Sequence, residues 1–539
     1  MMKSRPGLIL ALVCLPVFIG ALDLTIISAV LPAVIADLNI PLQTGLDDAA
    51  WAVNGYLLAY AVSMTFMGRV SDVWGRRRVY LICLVIFFVG SWWGAASGGA
   101  PAELAYRVAR LLVGGRPDRS LMALYALIFG RVVQAFGAGA MVPVSMALVA
   151  DLYPPARRAL PLGIVGAVDT AGWVLGHLYG GIVVQFFAWP FLFWINLPVV
   201  ALMFGLTAWA LRGLSSVQSE GRVDWIGAGL ISLALVGLNL GLGAGEGASL
   251  SPPPYAAPAL LIAAICFALF LWAERRVTNP LLDLRVFAER NVSAASGMNL
   301  LIGFCLMVGL VSVPLFINVA GRADSGQGAL VSGYLLSAFT VPMALAAIPG
   351  GWLTERLGYR WTAASGVLIA LIGFILMSRW QSEMAGQAVA VVVGKGTPEA
   401  VNGTLQMIAG LLLAGVGLGL TVAPIGTAVI NGVAESERGM ASALVIILRL
   451  IGMSVSISAL TAYGLRRSTE ISRQLLEGVA LTDFARLAEA ALQAVTRVTA
   501  EMALIAAAVC AAALVPALLL GRDPKVGQSP PIQKGETLT

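Results

Sequence analysis

Charge is scarce in this chain of 539 residues. Only 12% of the residues are charged and 59% are hydrophobic, whereas a soluble domain carries about 25% charged residues. Because the charge is low over the whole length, the composition excludes a soluble enzyme, a disordered scaffold and a nucleic-acid-binding protein. A membrane helix needs about 20 apolar residues, so the chain has room for many membrane spans and for little else.

Histidine and cysteine are also rare. His177 is the single histidine, so a zinc site that needs two histidines cannot form within one chain. The five cysteines lie in apolar stretches without a Cys-x-x-Cys pair, and we interpret them as small buried hydrophobic residues. We expect no metal and no cofactor. The sequence has no Gly-x-x-x-x-Gly-Lys-Ser/Thr loop, which argues against ATP as the energy source.

Recurring apolar segments predict fourteen transmembrane helices. The predicted helices lie near residues 7–37, 48–70, 78–98, 120–150, 157–186, 190–212, 223–243, 255–273, 290–319, 327–355, 360–379, 403–433, 438–466 and 498–520. An even number puts both termini on one side. Most loop arginines and lysines lie on that same side, so the termini are predicted to be cytoplasmic.

Three segments on the predicted outer side are more than simple turns. Residues 99–119 combine arginines with leucines, which favours a short interfacial helix. Short β-branched runs around a glycine turn near 383–402 predict a small hairpin that projects outward. Residues 467–497 show helical periodicity with mixed charge, which predicts an amphipathic helix on the outer surface.

Two loops repeat one pattern. Gly68, Asp72, Gly75 and Arg77 follow the second predicted helix, and Gly351, Glu355, Gly358 and Arg360 follow the tenth. In each loop an acid comes four residues after the first glycine, a second glycine three residues later, and an arginine two residues after that. Internal duplication of this kind is typical of transporter folds.

The repeated loop resembles the signature loop of the major facilitator superfamily, and two helix motifs support that resemblance. Arg131-Val-Val-Gln134 resembles the Arg-x-x-Gln-Gly motif of the family, although Ala135 replaces its first glycine. The fifth predicted helix resembles the antiporter motif of the family, with His177 where that motif normally has proline. The motif residues are Gly172, Gly176, His177, Gly180 and Gly181.

Other segments resemble the fourteen-helix drug:proton antiporter branch and, within it, the mycobacterial triacylglyceride exporters. They are Ala21-Leu-Asp23-Leu-Thr25, Phe193-Trp-Ile-Asn196-Leu-Pro198, Arg222-Val-Asp224 and Leu448-Arg449-Leu-Ile-Gly452. The resemblance implies proton-coupled export of triacylglyceride-like lipids across the cytoplasmic membrane by alternating access. It also implies a periplasmic lipoprotein partner. The alternative is a multidrug:proton antiporter for amphipathic drugs.

The fold implied is an all-α integral membrane protein with two six-helix bundles and an inserted helix pair. We expect a monomer surrounded by membrane lipids. The predicted boundaries are 1–212 for the first bundle, 213–280 for the inserted pair, 281–525 for the second bundle and 526–539 for a cytoplasmic tail. A membrane-embedded acyltransferase is disfavoured because such chemistry usually uses His with Asp or Ser with His, and the single histidine lies in a glycine-rich packing motif. A passive channel is another alternative, and it would predict a pore lined by charged residues with no deep acid–base pairs.

Four ionisable residues lie deep in predicted spans, where each costs at least about 2.5–3.5 kcal/mol. A buried carboxylate at Asp23 fits proton binding and release, or else a structural hydrogen bond. Arg131 needs a partner, for which Asp23 and Asp169 are candidates. Asp169 and Arg449 lie at equal depth and are predicted to pair between the two halves, although the related exporters carry this acid at the position of Thr170.

The repeated loops predict a conformational latch on the cytoplasmic side. Its residues are Gly68, Asp72, Gly75, Arg76, Arg77, Glu355 and Arg360. In such a latch, the arginines would pair with carboxylates or carbonyls of the opposite half. The alternative is that the arginines only anchor the loops at the membrane surface. His177 is either a titrating proton carrier or a replacement for a helix-bending proline that hydrogen-bonds locally.

Overall fold

Helices account for nearly all of the regular structure. The computed structural model describes residues 6–40, 46–113, 116–212, 221–243, 255–277, 280–320, 325–477 and 483–521. The α-helices in these ranges are α1 (Pro6–Asp37), α2 (Leu46–Trp74), α3 (Arg76–Ala95), α4 (Ala100–Val113), α5 (Arg119–Leu152), α6 (Ala159–Phe186), α7 (Phe191–Ala210), α8 (Trp225–Gly243), α9 (Ala256–Glu274), α10 (Arg290–Ala320), α11 (Ser325–Met377), α12 (Ser382–Val392), α13 (Pro398–Asn431), α14 (Arg438–Leu475) and α15 (Phe484–Leu519).

Eleven helices of the described chain are long and apolar enough to cross a membrane, and the apolar part of α8 is shorter. The protein is therefore a multi-pass membrane protein. Each of the fourteen predicted segments falls on a helix. That all fourteen segments cross the membrane, and that the termini are cytoplasmic, stay predictions.

The second glycine of each repeated loop breaks the helix at the same place. Gly75 has φ 91° and separates α2 from α3, and Gly358 has φ 82° inside α11. A side chain is strained at such angles, so glycine is needed at both positions. The predicted helices at 327–355 and 360–379 are therefore consecutive parts of α11 that meet at a kink. The repeat is one of structure as well as of sequence.

Two apolar cores follow the order of the chain. The first core lies mainly among α1–α7 and includes Phe87, Met141 and Val165, which are at most 1% exposed. The second core lies among α10–α15. We call these two groups of helices the N-terminal half and the C-terminal half. Between them in sequence, α8 rests on α2, where the Trp225 ring lies 6.1 Å from the Phe66 ring.

The outward hairpin predicted near 383–402 is wrong. Ser382–Val392 form α12, a turn follows at Gly394, and α13 begins at Pro398 with Thr397 as its N-cap. Ala385 and Ala388 are three residues apart on one face of α12, and both are fully buried. Packing of that face outweighs the weak helix propensity of the neighbouring valines.

The outer segment 467–497 is not one amphipathic helix. Residues up to Leu475 continue α14, and those from Phe484 begin α15. Arg467 of α14 joins Glu501 of α15 with 3.1 Å between Nε and Oε2. The amphipathic pattern therefore belongs to the ends of two neighbouring helices. Residues 478–482 and the predicted tail at 526–539 lie outside the described residues, whereas the short helix expected within 99–119 is present as α4.

Candidate functional site

Asp23 lies in a buried polar cluster inside the N-terminal half. The side chain is 1% exposed. Its Oδ2 accepts hydrogen bonds from the side-chain amides of Gln134 on α5 and Asn196 on α7, the latter at 3.0 Å. Gln134 also donates to Ser91 of α3 at 2.9 Å. Four helices thus meet at this carboxylate, and its donors are neutral amides.

Arg131 is fully buried beside the same cluster. Its Nη2 donates to the backbone carbonyl of Asp23, and its Nη1 donates to Oε1 of Gln134, both at 2.8 Å. The guanidinium carbon lies 3.9 Å from the ring centroid of Tyr56, a cation–π contact that stabilises the charge. Among the described residues, Arg131 forms no direct ion pair with Asp23, because Gln134 bridges the two side chains. Asp169, the other predicted partner, does not bond to Arg131 there either.

A cavity of about 770 Å³ lies between the two halves. Most of its wall is apolar, from α6 on one side and α10 and α11 on the other. Its lining includes Thr25, Thr170, Trp173, Leu175, Leu178, Leu306, Leu310, Ser332, Tyr334, Leu336, Ser337, Thr340 and Met343. A cavity of this size holds a drug-sized ligand or part of a larger one.

Asp169 and Arg449 both line this cavity, one from each half. Asp169 Oδ1 lies 3.5 Å from the Tyr60 hydroxyl. In the described chain, Nε of Arg449 is buried without a hydrogen-bond partner. The structure therefore brings the two predicted residues to one site without a direct ion pair among the described contacts. Thr170 lies on the same wall and donates to the Gly166 carbonyl at 2.9 Å.

Asp72 joins the two halves at the end of the molecule away from the cavity, which we call the closed end. Its carboxylate accepts from the backbone N–H groups of Gly439 at 2.9 Å and Met440 at 3.0 Å, and so caps the first turn of α14. A carboxylate is favoured at a helix N-terminus because free N–H groups and the helix dipole meet there. Gly68 allows this contact, since a Cβ at that position would meet the Gly439 backbone.

Arg76 ties this cap to neighbouring segments. Its Nη2 lies 3.1 Å from Asp72 Oδ1 and donates to the Glu435 carbonyl at 2.8 Å. It also forms an ion pair with Asp151, which in turn accepts from Arg438 at 2.8 Å. Asp151, Glu435 and Arg438 were not predicted from the sequence. They are ordinary charged residues at helix ends, and only the approach of α5 to α14 gives them a shared role.

Glu355 repeats the arrangement from the other half. Its Oε1 accepts from the backbone N–H of Leu160 at 3.1 Å, in the first turn of α6. Nearby, Arg158 donates to Asn431 Oδ1 at 2.7 Å. Burial, together with repulsion from Arg438, lowers the pKa of Arg158 to about 10, so it stays charged at neutral pH. The two acids of the sequence repeat therefore each cap a helix of the opposite half.

Two of the predicted latch arginines do not reach across. Arg77 contacts the Ala208 carbonyl at 3.5 Å, within its own half. Arg360 is exposed and lies against its neighbour Trp361, 5.3 Å from the ring centroid. The prediction that these two arginines pair with the opposite half is wrong, because the contacts described for each lie within its own half.

The glycines of the fifth predicted helix pack α6 against α1. A Cβ at Gly172 would lie 2.6 Å from Ala21 Cβ, and Gly176 and Gly180 contact the backbones of Leu22 and Ile26. These three glycines are four residues apart and share one helix face. Gly181 has no atom within 4 Å of such a Cβ. The side chain of His177 lies outside the described residues.

The sequence profile described as Major Facilitator Superfamily matches residues 13–457. The chain belongs to the major facilitator superfamily. The protein is accordingly a membrane transporter rather than an enzyme.

Curated relatives cover nearly the whole chain. A triacylglyceride transporter of Mycobacterium tuberculosis is 32% identical over 533 residues, which is 97% of this chain and 96% of that protein. A triacylglyceride transporter of Mycolicibacterium smegmatis is 33% identical over 458 residues, 84% of this chain and 75% of that protein.

Solved structures support the fold alone. The human organic anion transporter MFSD10 matches with a TM-score of 0.54 at 15% identity, covering 94% of this chain and all of that one. The proton:xylose symporter XylE matches with a TM-score of 0.55 at 13% identity, covering 94% and 95% of the two chains.

Proposed function

We propose that this transporter exports triacylglyceride-like lipids across the cytoplasmic membrane by proton-coupled alternating access. The observation that carries the proposal is the apolar cavity between the halves, which holds one acid and one arginine and lies away from the closed end. In this proposal the closed end faces the cytoplasm, and the cavity opens toward the outer side.

The walls of the cavity favour an apolar cargo. The lining includes Leu175 and Leu178 of α6 and Leu306 and Leu310 of α10, and the hydroxyl groups of Ser332, Ser337 and Thr340 on α11. Ester groups of a lipid accept hydrogen bonds from hydroxyls, while acyl chains pack against leucine. Leu178 of α6 and Tyr334 of α11 line the cavity and are 60% and 62% exposed, so the cavity is open at these residues. The names of the mycobacterial relatives agree with this cargo.

Protons are the proposed energy source. Asp23 lies deep in the N-terminal half with neutral amide donors, so it can bind a proton without breaking an ion pair. Asp169 lies on the cavity wall within reach of cargo. Two acids at different depths suit a carrier in which proton binding and cargo binding compete or alternate.

The caps at the closed end supply the alternating step. Asp72 and Glu355 hold helices of the opposite half through N–H groups and a buried arginine. Opening this end requires those bonds to break, and water then replaces them. We propose that the transporter works as a monomer and passes its cargo to a periplasmic lipoprotein.

A multidrug:proton antiporter is the second candidate. Asp169 on the cavity wall favours it, because a carboxylate in an apolar pocket attracts cationic amphipathic drugs. Arg449, which lines the cavity from the other half, counts against it, because it would repel a cationic drug.

Transport in proteoliposomes separates these functions. The full chain is reconstituted into phosphatidylethanolamine–phosphatidylglycerol vesicles, and the movement of a fluorescent triacylglyceride or of ethidium is followed with and without a pH gradient. We expect triacylglyceride transport that stops when an ionophore collapses the gradient. Transport that is indifferent to the gradient would refute proton coupling, and transport of ethidium alone would favour the drug antiporter.

A pair of variants tests the cavity itself. Leu336 lines the cavity, whereas Leu345 on the same helix is 63% exposed and does not. Leu336→Trp should narrow the cavity and reduce triacylglyceride transport at least tenfold, and Leu345→Trp should leave transport unchanged. Equal rates for both variants would show that the cargo takes another route.

A further inference from the structure

Two tyrosines lie between the buried Asp23 cluster and the cavity. Tyr56 and Tyr60 are four residues apart on α2 and share one helix face. Their rings are stacked, with centroids 6.0 Å apart and an interplanar angle of 21°. Tyr56 lies under the guanidinium of Arg131. Tyr60 places its hydroxyl 3.5 Å from Asp169 Oδ1.

Neither ring has room to move freely. Tyr56 is fully buried and its hydroxyl donates to the Gly20 carbonyl at 3.0 Å. Tyr60 is 1% exposed, and α5 packs so closely that a Cβ at Gly139 would lie 3.0 Å from Tyr60 Cα. The hydroxyl of Tyr60 is therefore fixed to the N-terminal half, as Asp169 is.

The groups that face Asp169 belong to different halves. Arg449 comes from α14 in the C-terminal half, and Tyr60 comes from α2 in the N-terminal half. Among the described residues that line the cavity, Tyr334 of α11 is the other titratable group, while α10 contributes the apolar Leu306 and Leu310 and α1 contributes Thr25. Asp23 and Arg131 lie behind Tyr56. When the halves move apart, Arg449 moves relative to Asp169, but Tyr60 keeps its place.

We propose that Tyr60 is a positioning residue for Asp169: its hydroxyl holds the ionised carboxylate against the N-terminal half when Arg449 withdraws. This inference rests on the proposed function, since it assumes that Asp169 ionises during transport. A charge-assisted O–H···O⁻ bond is about 2.5–2.7 Å long, so the contact of 3.5 Å must shorten by about 1 Å as Arg449 leaves. The stacked Tyr56 ring lies between Tyr60 and Arg131.

Removing only the hydroxyl tests the proposal. In Tyr60→Phe the ring stays, but the ionised carboxylate loses a donor, so protonation of Asp169 becomes easier. The protonated carboxyl is followed by its infrared carbonyl band during a pH titration of the full chain, and Asp169→Asn identifies the band. We expect the midpoint of this band, and the acid limb of the transport pH profile, to rise by about 1 pH unit.

Tyr125→Phe is the matched control. The Tyr125 hydroxyl also lies 3.5 Å from a carboxylate, that of Asp48, but at an exposed site away from the cavity. This variant should leave both the band and the profile unchanged. In an Asp169→Asn background, Tyr60→Phe should leave the midpoints of the remaining carboxyl bands unshifted. An unshifted midpoint in a folded Tyr60→Phe protein would overturn the role of Tyr60, and so would a shift that persists in that background.

A second substitution guards against misfolding. Fluorinated tyrosine at position 60 keeps the shape of the side chain and strengthens the O–H donor, so the midpoint should fall instead of rise. An unchanged midpoint would also overturn the proposal. Triacylglyceride transport by the unmodified chain is measured in the same vesicles. If that transport ignores the pH gradient, the proposed function fails; if it follows the gradient and the variants show no shift, only the role of Tyr60 fails.

Discussion

At the scale of single residues, Asp23 shows how the fold accommodates a charge in the membrane. An acid at the centre of a membrane helix costs about 2.5–3.5 kcal/mol on insertion scales. Gln134 and Asn196 offset this cost with hydrogen bonds from uncharged amides. An acid with such donors can exchange a proton while Arg131 stays bound to the backbone carbonyl of Asp23. The sequence pointed to the acid, but not to the amides that surround it.

Asp23→Asn tests the proton role of this residue. The amide side chain has nearly the same shape but cannot ionise, so gradient-driven transport of the fluorescent triacylglyceride should fall at least tenfold. Asp37→Asn is the control, because Asp37 lies on the same helix and its carboxylate accepts from Trp189 at 2.8 Å, a bond that asparagine can also accept. Full activity of Asp23→Asn in the vesicle assay would rule out a proton role for Asp23.

At the scale of helices, the close packing of α1 on α6 depends on glycine at particular turns. Gly172 faces Ala21 and the Phe18 carbonyl, whereas Gly181 faces open space. The motif in the sequence does not separate these two glycines, since both are part of the same pattern. Only the direction in which each residue points decides which of them determines the spacing of the helices.

Alanine substitutions at these glycines should have opposite effects on stability. Gly172→Ala introduces a Cβ only 2.6 Å from Ala21 Cβ, so overpacking should lower the free energy of unfolding by about 1–3 kcal/mol. Gly181→Ala meets nothing and should be neutral or stabilising by up to about 1 kcal/mol, because alanine favours the helix. Thermal unfolding in detergent compares the stability of the two purified variants. A Gly172→Ala protein as stable as the unmodified chain would contradict the close packing of α6 on α1.

At the scale of the whole molecule, the closed end depends on contacts that cross between the halves. Asp72 and Glu355 come from the repeated loops, and each caps a helix of the other half. Around Asp72, Arg76 and Asp151 complete a network of charges. Loss of one member of a buried ion pair costs about 3–5 kcal/mol, since its partner is left uncompensated.

Neighbouring arginines provide a direct test of this closure. Arg76→Gln removes the cation that Asp72 and Asp151 share, and so should shift the protein toward states in which the closed end is open. Arg77→Gln is the control, because Arg77 contacts only its own half among the described residues. Spin labels at the exposed positions 157 and 434, in a chain whose native cysteines are replaced, report the distance between the halves. Longer distances are expected for Arg76→Gln alone, and equal distributions for both variants would contradict the assignment.

The sequence alone determined the class of this protein and its helices. Long apolar runs with few charges leave only membrane spans, because a charge inside the bilayer is costly. The repeated pattern also identified Asp72 and Glu355, each three residues before a repeated glycine. Gly75 and Gly358 are needed there because their backbone angles are ones that side chains disfavour. These features depend only on residues that are near one another in the chain, so the sequence alone predicts them.

Only the tertiary structure decided which polar groups meet. Asp23 meets Gln134 and Asn196 although they are far apart in sequence, and Arg77 contacts its own half although it is adjacent to Arg76. The outer segment near 383–402 became a helix because burial of Ala385 and Ala388 outweighed the preferences of its valines. Pairing between helices depends on the direction of each side chain and on its neighbours from the other half. A local sequence pattern predicts neither of these.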